Sequence, residues 1–439
     1  MAPQDDETHT LLVGGYGSHL SKLSFSPRSR SITRDQVVHT RKGTAPSWLC
    51  VSLPKRTDEG ESYRVVYAID ETGDMESEHG EVYAFKLQAN GNLDDKPMGS
   101  VFTGVKSYVS ASLAVSRERG NADQAVRRAH RGCHCTLTPN EDALLVAPYS
   151  SPAIAVVSLD PATGAFTSSS SGDSSGVEVH AVKSRELGPH ASRQDAAHPH
   201  QVALCPRGQY VVVPDLGTDD LRVYALVHGA TTTTLKPVCE HKLEPSAGPR
   251  HVLFGELISE REVALYVLHE LGNAVSSHAF VYPAPGSEAA PTIRPLMPES
   301  ASMLPDRPAA GQSAFEVWHA AELCILSRPT KPTAAATLLA SNRAEQHDPH
   351  NGTRQGPHDL LAAFTLDGGA LGKRDLLDSG GRAPRHLAPS PCGRFLAVSL
   401  HDSDEVVVFG VGYDEGGLVL DECARWDAEG QRPAVALWL

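Results

Sequence analysis

Long apolar runs are missing from this sequence of 439 residues. Nowhere do about 18 apolar residues follow one another, so no helix is expected to span a membrane. Positive charge is in short supply too. Lys and Arg number 39 against 53 Asp and Glu, a net charge of −14. Nucleic acid and anionic membranes both reward clustered positive charge, so neither is expected as a partner. The N-terminal stretch MAPQDDETHT has neither the basic nor the apolar region of a secretory leader. The eight cysteines include no C-x-x-C pair and no zinc-ligand spacing. Most lie in apolar, strand-like runs, where a free thiol packs as a small hydrophobe. The expectation is a cytoplasmic protein with buried, reduced thiols. The helical period is almost absent as well.

What is present is a repeat. Short apolar runs end at Gly, Pro, Asn or Asp, the pattern of many short strands. One unit reads Pro or Cys, a polar residue, an apolar strand, a turn, a second apolar strand, a polar bend and an alternating third strand. It is plainest in HPHQVALCPRGQYVVVPDLGTDDLRVYAL (198–226) and APRHLAPSPCGRFLAVSLHDSDEVVVFGV (383–411). Other copies begin near 45, 132, 248 and 319. The chain ends on RPAVALWL, a first strand alone, and begins with TLLVGGYGSHLSKLSFS, a second and a third. Joined, the two ends make a seventh unit and leave no open sheet edge. The predicted fold is therefore all-β, a single seven-bladed β-propeller closed by pairing of the C-terminal strand with the N-terminal ones. The extra length falls in surface inserts near 106–131, 161–197, 284–318 and 344–357.

In a propeller the start of each first strand and the bend after each second strand share one face of the disc. The first position holds Ser47, His134, His200, Arg250, His251, Arg385 and His386. The second holds Glu71, Tyr149, Asp215, Glu270, Asn273, Asn342 and Arg343. A bend favours Gly, Asn or Asp, and neither Glu nor Arg helps it turn. Converging there, three Arg, several His and a few carboxylates would make a receptor for a small anion with acid–base groups beside it. Two alternatives stay open. Arg250 and Arg385 either hold an anion or pair with blade-end carboxylates, and Asp215 and Asp219 either meet substrate or cap the turn and tie blades together.

These same runs, with LLVGGYG near the N-terminus and SNRAEQ at 341–346, resemble the lactonase family of seven-bladed propellers. That family includes the propeller-type 6-phosphogluconolactonases and the fungal carboxy-cis,cis-muconate cyclases. The resemblance runs from about residue 10 to 439, inserts excepted. It implies His200, Arg250, Glu270 and Arg343 as catalytic residues, all within the set already selected by repeat position. His134, His251, Arg385, His386 and Asp215 would bind substrate. His251 and the second Pro-Arg-His triplet follow the phosphogluconolactonase branch, since the cyclase pattern has Trp after the third-blade Pro-Arg. The expected activity is hydrolysis of a small anionic sugar lactone, most plausibly 6-phosphogluconolactone. Glu270 or His200 would take a proton from water, and no metal or cofactor is needed. The alternatives are cyclisation of a carboxylated muconate dicarboxylate, which uses the same parts, and a non-catalytic propeller that binds a partner on its face.

Overall fold

Each apolar run becomes a strand, and its place in a sheet follows from how many of its faces are apolar. Ala143–Pro148 and Phe395–Leu400 are buried along their whole length, whereas Val177–Ala181 is largely exposed. The first two are second strands, covered on both faces. The third is an outer strand. The computed structural model describes residues 7–71, 79–106, 132–167, 176–183, 186–229, 233–305, 318–327, 336–344 and 358–439. Among these, every regular element is a strand, and the strands form seven antiparallel sheets of four or five.

The chain divides into two compact units. One comprises Met1–Gly15, Ser21–Val37 and Pro249–Leu439, the other Tyr16–Leu20 and Val38–Gly248. In the first, three sheets begin with the strands Pro249–Ser259, Trp318–Leu326 and Pro384–Pro389. The remaining sheet joins the two chain ends: Pro433–Trp438 pairs with His9–Gly15, Leu12 opposite Leu437. Both termini were predicted to share one sheet, and they do. At the tight end of this pairing a side chain is not tolerated, because a Cβ on Gly15 would lie 2.5 Å from the Arg432 carbonyl oxygen. In the second unit the three sheets start at Pro46–Val51, Gly132–Leu137 and Ala203–Leu204.

Within each unit the core lies between successive sheets. Tyr266, Leu268 and Val275 of one sheet pack on Leu338, Ala340 and Phe364 of the next. In the other unit, Val65 and Tyr67 pack on Leu144 and Ala155. All eight cysteines are free thiols. Four are buried, and Cys392 is exposed.

Two differences from the sequence reading have a common cause. Val177–Ala181 and Thr292–Pro295 are fourth strands of their sheets, yet both fall inside segments expected to be inserts. Each lies at an edge with few buried residues, so neither carries the apolar alternation that marks a strand. The inner strand expected from 198 is short. Residues 198–202 make only an isolated bridge, Pro199 with Asp215, because the His198 amide is taken by the Asp215 side chain at 2.7 Å. Of the expected inserts, 107–131, 168–175, 184–185, 306–317 and 345–357 lie outside the described residues.

Candidate active site

The inner strands begin with a repeated irregularity. In Pro249–Ser259, Pro249 pairs with His269 and His251 with Leu268, leaving Arg250 as an extra residue. The same slip leaves Arg385 between Pro384 and His386, and Ser47 between Pro46 and Trp48. A bulge of this kind turns one side chain out of the strand's alternation. It therefore splits the first repeat position into two sets: bulged residues such as Arg250 and Arg385, and the paired residues that follow, His251 and His386.

Arg250 meets Glu270. Its Nη1 donates to Glu270 Oε2 at 2.6 Å, and its Nε donates to the Ala321 carbonyl at 2.7 Å. Glu270 sits where Glu262–His269 ends, one residue before the Leu271-Gly272-Asn273 turn, and is 1% exposed. Asn273, at φ 49°, closes that turn. The second carboxylate oxygen lies 3.5 Å from Nη2 of Arg343, near the end of Thr337–Ala344. Arg343 also donates to the carbonyls of His319 and Ala320, at 3.4 and 3.5 Å. Three consecutive carbonyls, those of His319, Ala320 and Ala321, thus cradle two guanidiniums, and Glu270 lies between them. The cradle has its own bulge, since the pairing of Trp318–Leu326 slips between Ala320 and Leu323.

Inside that slip lies Glu322, which sequence reasoning did not single out. Its Oε1 accepts from His251 Nδ1 at 2.9 Å, and its Oε2 is 3.9 Å from His386 Nε2. Burial pushes the Glu322 carboxyl up, but the charge and hydrogen bond of His251 and the charge of His386 outweigh it and hold it below the usual value. Burial pushes His386 down, opposed by the Glu322 charge. The clue in the sequence was a lone carboxylate in the apolar run AAELCIL. His251 and His386, expected as substrate contacts, both lie against Glu322 and so tie neighbouring inner strands. Arg385 is half-buried, and its charge lowers the pKa of His401.

The second unit holds the other expected residues. His200 is buried and donates its amide to the Pro214 carbonyl. Its Nδ1 lies 3.6 Å from Cys133 Sγ, and the Tyr149 ring meets it edge-on at 5.3 Å. Tyr149 stacks on His198 at 4.7 Å. Arg193 and Asp195, in a segment read as insert, reach Tyr149 and His198 at 3.5 and 3.0 Å. His134 packs on the Trp48 indole at 4.3 Å, again linking adjacent inner strands. Asp215, expected as a substrate contact, braces the chain around it. It is fully buried, one oxygen accepts from the amides of His198 and Gly217, and the other accepts from Arg222 Nε at 3.0 Å. Asp219 ties the chain in the same way, accepting from the amides of Ser246 and Gly248. Among the described residues, no three His, Cys, Asp or Glu side chains gather as a metal site would require.

Chemically, two arginines on one carboxylate leave the first cluster with a positive balance, suited to an anion or to an oxygen that gains charge. A family model described as "Lactonase, 7-bladed beta-propeller" matches residues 100–425, well over half of the chain. The chain belongs to this lactonase family of seven-bladed β-propellers. Among relatives, a "Probable 6-phosphogluconolactonase" of Arthroderma benhamiae is 28% identical over 305 residues, 68% of this chain and 66% of that one. The Bacillus subtilis 6-phosphogluconolactonase is 27% identical over 235 residues, 53% of this chain and 55% of the other. The matched stretches thus span less than two thirds of either relative. In fold, this lactonase-family chain is similar to the Pseudomonas aeruginosa periplasmic gluconolactonase, with a TM-score of 0.69, 22% identity and 99% of each chain covered. The seven sheets are the seven blades of the family fold.

Proposed function

We propose that the chain hydrolyses a small anionic sugar lactone of the 6-phosphogluconolactone type, with Arg250, Glu270 and Arg343 in the reaction. The observation that carries this reading is the pair of guanidiniums held on one buried carboxylate. The names of the relatives support it. Water adds to the lactone carbonyl carbon, charge collects on the carbonyl oxygen, and the ring C–O bond breaks. The proton lost by water ends on the released ring oxygen, so the product is a hydroxy acid and no co-reactant is consumed. An arginine fork aimed at the carbonyl oxygen lowers the barrier where the charge develops. The other holds the phosphate or carboxylate of the substrate by paired, charge-assisted bonds.

Glu270 takes a role other than the one its sequence position suggested. Accepting a proton would cost it both ion pairs, so we assign it to hold the two forks in place. His200 remains a proposed acid–base residue on the strength of its repeat position. The test is acid release in a pH-stat with fresh 6-phosphogluconolactone, run beside a carboxymuconate. Ring opening faster than the spontaneous rate supports the reading. A rate equal to the spontaneous one, or turnover of the muconate alone, overturns it.

A further inference from the structure

Asn342 carries an amide that the protein leaves unanswered. Both Oδ1 and Nδ2 are buried without a hydrogen-bond partner, and the residue is 1% exposed. Among the described residues it is the only buried amide with neither atom engaged. Burying a polar group unsatisfied costs roughly 1–3 kcal/mol, and native structures hold few such groups. The bend does not require Asn, because the residue at the same level of two other sheets is Pro148 or Leu400.

Its place is the cluster described above. Asn342 precedes Arg343 and pairs in register with Ala320. The Ala320 carbonyl accepts from Arg343, and its amide donates to the Glu270 carbonyl at 3.3 Å. Strand alternation puts Asn342 on the face of Leu338 and Ala340. That face packs on Leu268 and Val275, which flank the turn that carries Glu270.

We propose that Asn342 reads a hydroxyl group of the lactone. A hydroxyl both donates and accepts, so it answers Oδ1 and Nδ2 together. A carboxylate only accepts and would leave Oδ1 unsatisfied. The residue therefore selects hydroxyl-rich lactones against ring systems without hydroxyls and against muconate-type dicarboxylates. A site built to hydrogen-bond a substrate hydroxyl discriminates strongly against an analogue that lacks it. The inference rests on the lactone-hydrolysis reading and narrows its substrate class.

The experiment compares kcat/KM for glucono-δ-lactone and δ-valerolactone in wild type and Asn342→Leu, with the melting temperature of each. The ratio of the two kcat/KM values should fall by roughly 10- to 100-fold in the variant. An unchanged ratio would mean that the amide serves an ordered water only, and the proposal fails. If Asn342→Leu does not fold, Asn342→Asp, which keeps the size and loses the donor, should lower the same ratio. Should the wild type open neither of these uncharged lactones, the functional reading is judged on 6-phosphogluconolactone as above, and calorimetry with 6-phosphogluconate decides on Asn342. Weaker binding by the variant supports it. Equal binding, or none by wild type, overturns it.

Discussion

Glu270 and Arg250, twenty residues apart, meet at 2.6 Å with both side chains almost wholly buried. The contact depends on two local features. A bulge after Pro249 frees Arg250 from its strand's alternation, and the turn at Asn273 lets Glu270 end its strand at the same level.

The planar fork of Arg250 is what a lysine cannot reproduce. Arg250 donates through Nη1 to Glu270 and through Nε to Ala321. Arg250→Lys keeps the charge and loses this geometry. We expect KM for 6-phosphogluconolactone to rise by roughly tenfold or more if Arg250 holds the substrate anion, with kcat falling as well if it also stabilises the transition state. Unchanged steady-state kinetics together with a lowered melting temperature would make the contact a structural ion pair.

Glu322 and His251 should behave as one unit. Their 2.9 Å contact is buried on both sides, so removing either partner strands the other. A double-mutant cycle of Glu322→Gln and His251→Asn, followed by denaturant unfolding, should give a coupling energy of about 1–3 kcal/mol. Additive effects would contradict the pairing.

Acid should destabilise the fold through histidines kept neutral. Burial, with help from the charge of His278, pushes His269 down to about 3 from 6.5. Burial likewise takes His401 down to about 4, despite the opposing hydrogen bond that Asp402 accepts. The unfolded chain then binds more protons than the folded one between pH 6.5 and about 3, so stability rises with pH across that window. It is fully present above pH 6.5 and drains as the pH falls. His269→Asn should show a shallower loss of melting temperature between pH 6.5 and 4 than wild type. The same slope in both would refute the assignment.

The C-terminal strand should be indispensable. Val435 and Ala436 are buried, and the Trp438 indole donates to the Ala388 carbonyl at 2.8 Å. Deleting 433–439 exposes the edge of His9–Gly15. The melting temperature should drop by more than about 10 °C. A truncated protein that melts like wild type would contradict the closure of that sheet.

The blades were legible because their second strands are apolar along their whole length and recur between the same turn signals. The outer strands were not, since Val177–Ala181 and Thr292–Pro295 are exposed edges without alternation. Glu270 and Arg343 stood out for a related reason: charged residues stood where the bend had no use for them, and Arg250 stood at the start of a first strand. Strand phase was not legible. Nothing in Pro-Arg-His says that the bulge turns the arginine one way and leaves the histidine paired, so His251 and His386 were grouped with Arg250 and Arg385. Glu322 depends on a histidine 71 residues earlier in the chain, a relationship only the folded chain reveals. Asp215 offered two readings in the sequence, and its partner Arg222, seven residues on, was not visible in the repeat pattern.

The central claim is that the Arg250–Glu270–Arg343 cluster opens a lactone. Its most direct test is the initial rate of acid release from 6-phosphogluconolactone for wild type and for Glu270→Gln, both confirmed folded by thermal melting. The substitution keeps the shape and removes the charge that holds both forks, so kcat/KM should fall by roughly 100-fold or more while wild type runs well above the spontaneous rate. Equal catalysed rates for the two proteins would contradict the account.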